Sequence, residues 1–112
     1  MPRRVELRIE DIVEQIQRVG RLTAGCDQRS FQEDEARRYA VVFCLVAIGE
    51  SASHVSAEIV ARTPEIPWKQ MRAMRNILVH EYFRISDEIL WRTATERLPE
   101  VLPALLALLE PP

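Results

Sequence analysis

Apolar residues recur along the first segment of the chain at steps of three and four. They form one stripe on a helix whose remaining positions are mostly polar: Val5, Ile9, Ile12, Ile16 and Val19. This spacing predicts an amphipathic helix, and it fades near Gly25. No segment has the strict alternation of a β-strand, so the pattern predicts an all-α protein.

The second predicted helix is the longest. Ser30, followed three residues later by Glu33, makes a capping-box sequence, and no proline follows before Pro64. We therefore expect one helix over about residues 31–62. Its middle is almost entirely apolar, which predicts burial on most sides against sister helices or a partner subunit. Cys44 in that stretch is expected to be a small core residue.

Prolines and a serine delimit the remaining helices. Pro64 should end the second helix, and Pro67 suits the first turn of a third. Ser86 can cap a fourth helix, whose positive N-terminus suits the two acidic residues that follow it. Pro99 and Pro103 should split or kink the last segment. These elements predict an up-and-down bundle of four or five helices.

Composition limits the function classes. The chain has 112 residues and a net charge of −2, so we expect a single domain over residues 1–112 without a general attraction for nucleic acid. Its longest apolar run has ten residues, too few for a membrane span, and the charged start lacks the apolar core of a signal peptide. The two cysteines make no metal pattern, and we expect a cytoplasmic protein without a cofactor.

The segment "AMRNILVHEYF", residues 73–83, carries candidate chemistry. On an ideal helix Arg75 and Tyr82 share one face, while Asn76 and His80 share a neighbouring face. Arg75 and His80 stand about 140° apart, although a long guanidinium can reach round the helix. Each of these residues also has a purely structural interpretation, as a solvated or hydrogen-bonded surface group.

Their combination favours phosphodiester chemistry. An imidazole exchanges protons near neutral pH, and a guanidinium forks onto phosphate oxygens. His80 could handle the proton of a 2′-hydroxyl or of the leaving oxygen, while Arg75 stabilises the developing charge and Asn76 orients His80 or a phosphate. Carboxylates with metal-ligand spacing are not visible, which argues against a two-metal nuclease.

Three blocks of this sequence carry a family resemblance: "AIGESA" (47–52), "PEIPWKQMRAMRNILVHEYF" (64–83) and "LWRTATERLPEVLPAL" (90–105). In this order, and with the R-x4-H-x-Y string inside the second block, the chain resembles the HepT-like family of the HEPN superfamily. The resemblance covers almost the whole chain. Met74 departs from it, because a small residue often precedes the motif arginine in the family.

The resemblance implies an all-α, HEPN-like bundle that forms a homodimer, with two motif copies in one cleft. It implies a toxin that is a metal-independent ribonuclease, with Arg75 and His80 as the catalytic pair and Asn76 as the polar residue after the arginine. Two copies of Arg72 near the axis would add positive charge for RNA. It further implies a nucleotidyltransferase antitoxin that transfers AMP to Tyr82.

A second hypothesis belongs to another class. The chain could be a non-catalytic binding subunit, or an AMP acceptor, that docks a nucleotidyltransferase. Two further features are open to interpretation. Glu50 and His54 lie one helical turn apart and could form a buried pair or support His80. Glu81 could mark the end of the third helix.

Overall fold

The computed structural model describes residues 4–111 and contains no β-strand in that range. The helices are α1 Val5–Thr23, α2 Gln28–Glu33, α3 Glu35–Ala52, α4 Ala57–Arg62, α5 Trp68–Glu81, α6 Asp87–Arg92 and α7 Leu98–Leu109, with a 3₁₀ turn at Tyr82–Arg84 and a π-helical turn at Thr93–Arg97. The predicted all-α fold is confirmed. The outermost positions of the expected 1–112 domain, residues 1–3 and 112, lie outside the described residues.

Helix α1 packs along α3 as an antiparallel pair. The apolar stripe of α1 is buried except at Val5, which is half-buried. The turn after the helix uses Gly25 at a φ of +78°, a conformation that favours glycine. Across this turn the Arg37 guanidinium donates a hydrogen bond to the backbone carbonyl of Leu22. The start of α3 therefore lies beside the end of α1, which is the up-and-down connection expected from the sequence.

The prediction of one helix over residues 31–62 is wrong. The chain leaves helical geometry at Asp34, whose carboxylate accepts a hydrogen bond from the backbone N–H of Arg37 at 3.0 Å and so caps α3. A second break follows Ala52, and Ser56 then caps α4. An acidic or hydroxyl side chain that caps a new helix can interrupt an apolar run without any proline.

The predicted capping box is also displaced by one turn. Ser30 is the third helical residue of α2 rather than the residue that precedes the helix. Asp27 holds the capping position: its carboxylate accepts from the Ser30 N–H at 2.8 Å, and the Ser30 hydroxyl accepts from the Asp27 N–H at 3.0 Å. The sequence pattern therefore predicted a capping box in this segment but placed its first residue three positions too late.

Helices α3 and α5 form the other main antiparallel pair. At one end, Gly49 of α3 lies against Met71 and Arg75 of α5. At the other end, Arg38 near the start of α3 pairs at 3.5 Å with Asp87, which opens α6 six residues after the end of α5. The two contacts join opposite ends of the helices, so α3 and α5 run in opposite directions.

The last segment returns along the bundle as α6, the π-helical turn and α7. Ser86 caps α6 as predicted, accepting from the Ile89 N–H at 3.1 Å. The expected split at the prolines does not occur. Pro99 lies in the first turn of α7, Pro103 lies inside that helix, and the irregular π-helical turn comes before both.

One buried apolar cluster joins α1, α3, α5, α6 and α7. Cys44 is 1% exposed, as expected of a core residue, and burial raises the pKa of its thiol. Thr63, a buried polar residue, accepts a hydrogen bond from the indole N–H of Trp68 at 2.9 Å, which fixes the turn before α5. Helix α5 thus enters the bundle from an anchored turn.

Candidate functional site

Arg75 lies at a close approach of α3 and α5. A Cβ added to Gly49 would stand 2.2 Å from the Arg75 Cβ and 2.7 Å from the Met71 carbonyl oxygen, distances that real Cβ atoms essentially never adopt. Glycine is therefore required at position 49 for this approach. The stem of Arg75 is held against the α3 backbone, and its side chain is 31% exposed.

Two side chains hold the head of Arg75. Its Nη1 donates to the Asn76 side-chain oxygen at 3.0 Å, and its Nη2 lies 3.4 Å from a carboxylate oxygen of Glu50. Its Nε is buried and has no hydrogen-bond partner among residues 4–111. The contact with Asn76 brings the guanidinium toward the helix face that Asn76 shares with His80.

Glu50 also contacts His54. One Glu50 carboxylate oxygen lies 3.1 Å from the His54 Nε2, and both side chains are about half exposed. The interpretation of a buried pair is therefore wrong. Within the described chain, the motif residue that Glu50 contacts is Arg75, and no hydrogen bond or ion pair joins Glu50 to His80.

His80 is exposed in the last turn of α5, and its side chain has no hydrogen bond or ion pair within residues 4–111. It follows Asn76 by four residues in the same helix, so the two share a face. A solvent-facing imidazole without a protein partner is accessible to a ligand from outside the chain.

Tyr82 does not lie where an ideal helix would put it. Glu81 has φ −149° and ψ 51°, so the chain leaves α-helical geometry between His80 and Tyr82. The inferred shared face of Arg75 and Tyr82 therefore does not hold, while the interpretation of Glu81 as the end of the helix is confirmed. Tyr82 opens the 3₁₀ turn and is 60% exposed, with its ring available from solvent.

Arg72 lies one turn before Arg75, at a half-buried position. It lines a shallow depression of about 330 Å³ beside the turn that precedes α5. A larger cavity of about 600 Å³ lies between α3, α5 and α7, and Met71 and Met74 contribute to its wall. That cavity opens on the opposite side of α5 from Asn76 and His80, so it is separate from the motif.

Exposed apolar side chains lie on the same two helices as the polar motif and Glu50. Phe43 is 65% exposed and precedes Glu50 by two helical turns, so it lies on the same side of α3 as Glu50. We call the surface formed by these exposed residues of α3 and α5 the motif face; it comprises Tyr39, Phe43, Glu50, Asn76, Val79 and His80.

No group of three or more His, Cys, Asp or Glu side chains within residues 4–111 could hold a metal ion. None of the helices in that range is long and apolar enough to cross a membrane.

Sequence reasoning missed the contact between Glu50 and Arg75. The two residues are 25 positions apart and belong to different helices, so no periodicity connects them. A signal was present in Gly49, the only glycine between residues 26 and 112, directly before Glu50. A glycine inside an apolar helix often marks a close approach of another backbone.

The fold and the site together define a class: an all-helical bundle that presents a held guanidinium and an exposed imidazole from one helix. Residues 12–108 match the family model described as Ribonuclease HepT-like. The chain therefore belongs to the HepT-like ribonuclease family, and the resemblance drawn from the sequence blocks is confirmed.

Individual relatives agree over most of their length. A Methanocaldococcus jannaschii protein named "Putative RNase MJ1380" is 34% identical over 99 residues, covering 88% of this chain and 91% of the relative. A second protein of that organism, "Putative RNase MJ1216", is 33% identical over 90% of this chain and 84% of its own length. The "Probable ribonuclease HepT" of Thermococcus cleftensis is 33% identical over 83% of this chain and 84% of its own. No solved structure matches the chain.

Proposed function

We propose that this protein is a ribonuclease toxin that cleaves RNA without a metal ion and acts in the cytoplasm. The observation that carries the proposal is the pairing, within a HepT-like ribonuclease, of an exposed His80 with an Arg75 guanidinium held on the same helix. The names of the relatives support RNA as the substrate.

The proposed reaction is transesterification within RNA. The neutral His80 imidazole accepts the proton of a 2′-hydroxyl, whose oxygen attacks the adjacent phosphorus. The bond from phosphorus to the 5′-oxygen breaks, and that oxygen takes a proton from a protonated imidazole. The products are a 2′,3′-cyclic phosphate and a free 5′-hydroxyl. Arg75 stabilises the charge on the phosphate oxygens, and Asn76 and Arg72 contact the strand.

A symmetric homodimer built on the motif face suits this chemistry. The reaction needs one imidazole to accept a proton and another group to donate one, and a two-fold axis near α5 would supply two copies of His80. It would also double Arg72 and Arg75 in one cleft, giving a local positive site on a chain of net charge −2. The exposed Phe43 and Val79 supply apolar area for such an interface.

The proposed partner is a nucleotidyltransferase-type antitoxin that silences the toxin by transferring AMP to Tyr82. The exposure of the Tyr82 ring supports access by another enzyme. A second candidate function, a non-catalytic subunit that docks the nucleotidyltransferase and accepts AMP, is favoured by the same exposure. It does not require Arg75 and His80 to act together.

Expression in bacteria separates the two functions. The chain expressed alone should arrest growth, and purified protein should cleave RNA equally well in EDTA.

His80→Ala should lower the rate by about 10² to 10⁴-fold because the proton-transfer group is gone. Arg75→Lys should also lose activity, since a point charge does not replace the guanidinium fork. Gln17→Ala, at an exposed position of α1, is the control and should leave cleavage unchanged. Cleavage that survives His80→Ala, or that requires added Mg²⁺, would contradict the mechanism.

A further inference from the structure

We propose that Glu50 is a positioning residue for Arg75: with Asn76 it fixes the guanidinium so that its remaining N–H groups meet the scissile phosphate. This inference rests on the proposed ribonuclease function and assigns Glu50 a role in it. Glu50 does not touch RNA in this scheme, and it acts only through Arg75.

The geometry accounts for each nitrogen of the guanidinium. Nη1 is bonded to Asn76, Nη2 is paired with Glu50, and Nε is buried without a partner. A guanidinium carries five N–H groups, and the one hydrogen bond that the head of Arg75 makes uses an N–H of Nη1, so at least one N–H on each terminal nitrogen stays free. A phosphate can accept from the two terminal nitrogens together, in the bidentate fashion typical of arginine.

The stem of Arg75 is fixed as well. Gly49 allows the α3 backbone to meet the Arg75 Cβ and Cγ, and Glu50 is the next residue along α3. The same close approach that holds the stem therefore delivers the carboxylate to the head. An arginine whose stem and guanidinium are both fixed has fewer rotamers to lose when phosphate binds. Binding therefore costs less side-chain conformational entropy.

The carboxylate is itself held by a third group. The Nε2 atom of His54 lies 3.1 Å from Oε1 of Glu50, while Arg75 is paired with Oε2, so each carboxylate oxygen has one partner. A negative charge beside an RNA site also repels phosphate, so its removal should ease binding while the orientation of Arg75 is lost. The chain His54–Glu50–Arg75–Asn76 joins the two helices of the motif face.

Steady-state cleavage and side-chain NMR test the inference together. Cleavage sites are first mapped on total bacterial RNA, and an oligoribonucleotide containing one site is used for kinetics. Glu50→Ala should lower kcat about tenfold without raising KM, because orientation is lost while repulsion of phosphate is relieved. Glu50→Gln, which keeps an acceptor oxygen, should recover part of kcat. Glu14→Gln is the matched control, since Glu14 makes an exposed pair with Arg18 on α1.

The NMR arm observes Arg75 directly. Its buried Nε–H should give a slowly exchanging signal in labelled protein, assigned by its disappearance in Arg75→Lys. Glu50→Ala should speed both solvent exchange of that proton and rotation of the guanidinium, and Glu14→Gln should change neither.

The outcomes are separable. An unchanged kcat in Glu50→Ala, a raised KM with unchanged kcat, or a loss of kcat that merely follows the folded fraction would each overturn the positioning role while leaving the ribonuclease function intact. If the wild type cleaves no RNA but Glu50→Ala frees the Arg75 signal, the positioning contact stands and the proposed function fails. If neither kcat nor the Arg75 signal responds, Glu50 has no such role.

Discussion

Tyr82 links the chemistry of the motif to its proposed control. It is 60% exposed and sits two residues after His80, beyond the point where Glu81 ends α5. An AMP group esterified to its hydroxyl would carry a negative phosphate and a bulky nucleoside next to the imidazole. The phosphate can pair with arginines that would otherwise bind RNA. Inhibition would then follow from occupation of the site, without refolding.

This mechanism predicts a specific response of Tyr82→Phe. Co-expression with a partner nucleotidyltransferase should add about 329 Da per AMP to the intact mass of the wild type and nothing to Tyr82→Phe. The variant should stay toxic in the presence of the partner. Tyr39→Phe is the matched control, since Tyr39 is also exposed but lies on α3. A Tyr82→Phe variant that the partner neutralises fully would mean inhibition by binding alone.

At the scale of helices, the contact between α3 and α5 depends on Gly49. Gly49→Ala should lower the free energy of unfolding by about 1–2 kcal/mol, because overpacking against the Met71 carbonyl exceeds the gain in helix propensity. Gly20→Ala is the control: its added Cβ meets nothing within 4 Å, so that change should stabilise α1 by about 0.5–1 kcal/mol. Urea unfolding measures both, and equal effects of the two substitutions would rule out a requirement for close approach at position 49.

The break before α3 predicts a pH dependence. Hydrogen bonds from the Arg37 backbone and side chain, with the nearby positive charge of Arg37, lower the pKa of Asp34. A carboxylate with a lowered folded-state pKa contributes stability above its unfolded pKa of about 3.9, and that contribution is lost as the pH falls through the folded value. Asp34→Asn should therefore flatten the fall in stability below about pH 4, as followed by urea unfolding. Parallel curves for Asp34→Asn and the wild type would contradict this.

Features of the helices that depend on neighbouring residues could be predicted from the sequence, and contacts between helices could not. Ser86 and the apolar stripe of α1 act within one or two turns, and both were predicted correctly. Asp34 also acts on neighbouring residues, as a helix cap. An acidic residue in a helical sequence pattern is equally compatible with an exposed position inside the helix, so its capping role was missed. The pairing of Glu50 with Arg75 depends on how two helices pack against each other. No short segment of the sequence shows which helices pack together or at what level.

At the scale of the whole molecule, the motif face stays exposed within residues 4–111. Gly49 and Arg75 fix the level at which α3 and α5 cross. Phe43 lies six residues before Gly49, about 9 Å along the axis, which on the antiparallel α5 corresponds to the level of Val79 and His80. Exposed apolar side chains therefore flank the imidazole, as expected of a surface that a second copy covers.

A dimer through this face predicts how mass and activity change together. The wild type should sediment at about 26 kDa, twice the 13.0 kDa of one chain. Phe43→Glu should shift the protein to the mass of one chain. The variant should stay folded because Phe43 is 65% exposed in the single chain. It should also lose RNA cleavage, although His80 and Arg75 are unchanged. Ile89→Glu, at a 47% exposed position on α6, is the matched control and should leave both mass and cleavage unchanged. A wild type that stays at 13 kDa at micromolar concentration yet cleaves RNA would show that one subunit carries the complete site, and the second imidazole would then have no part in the reaction.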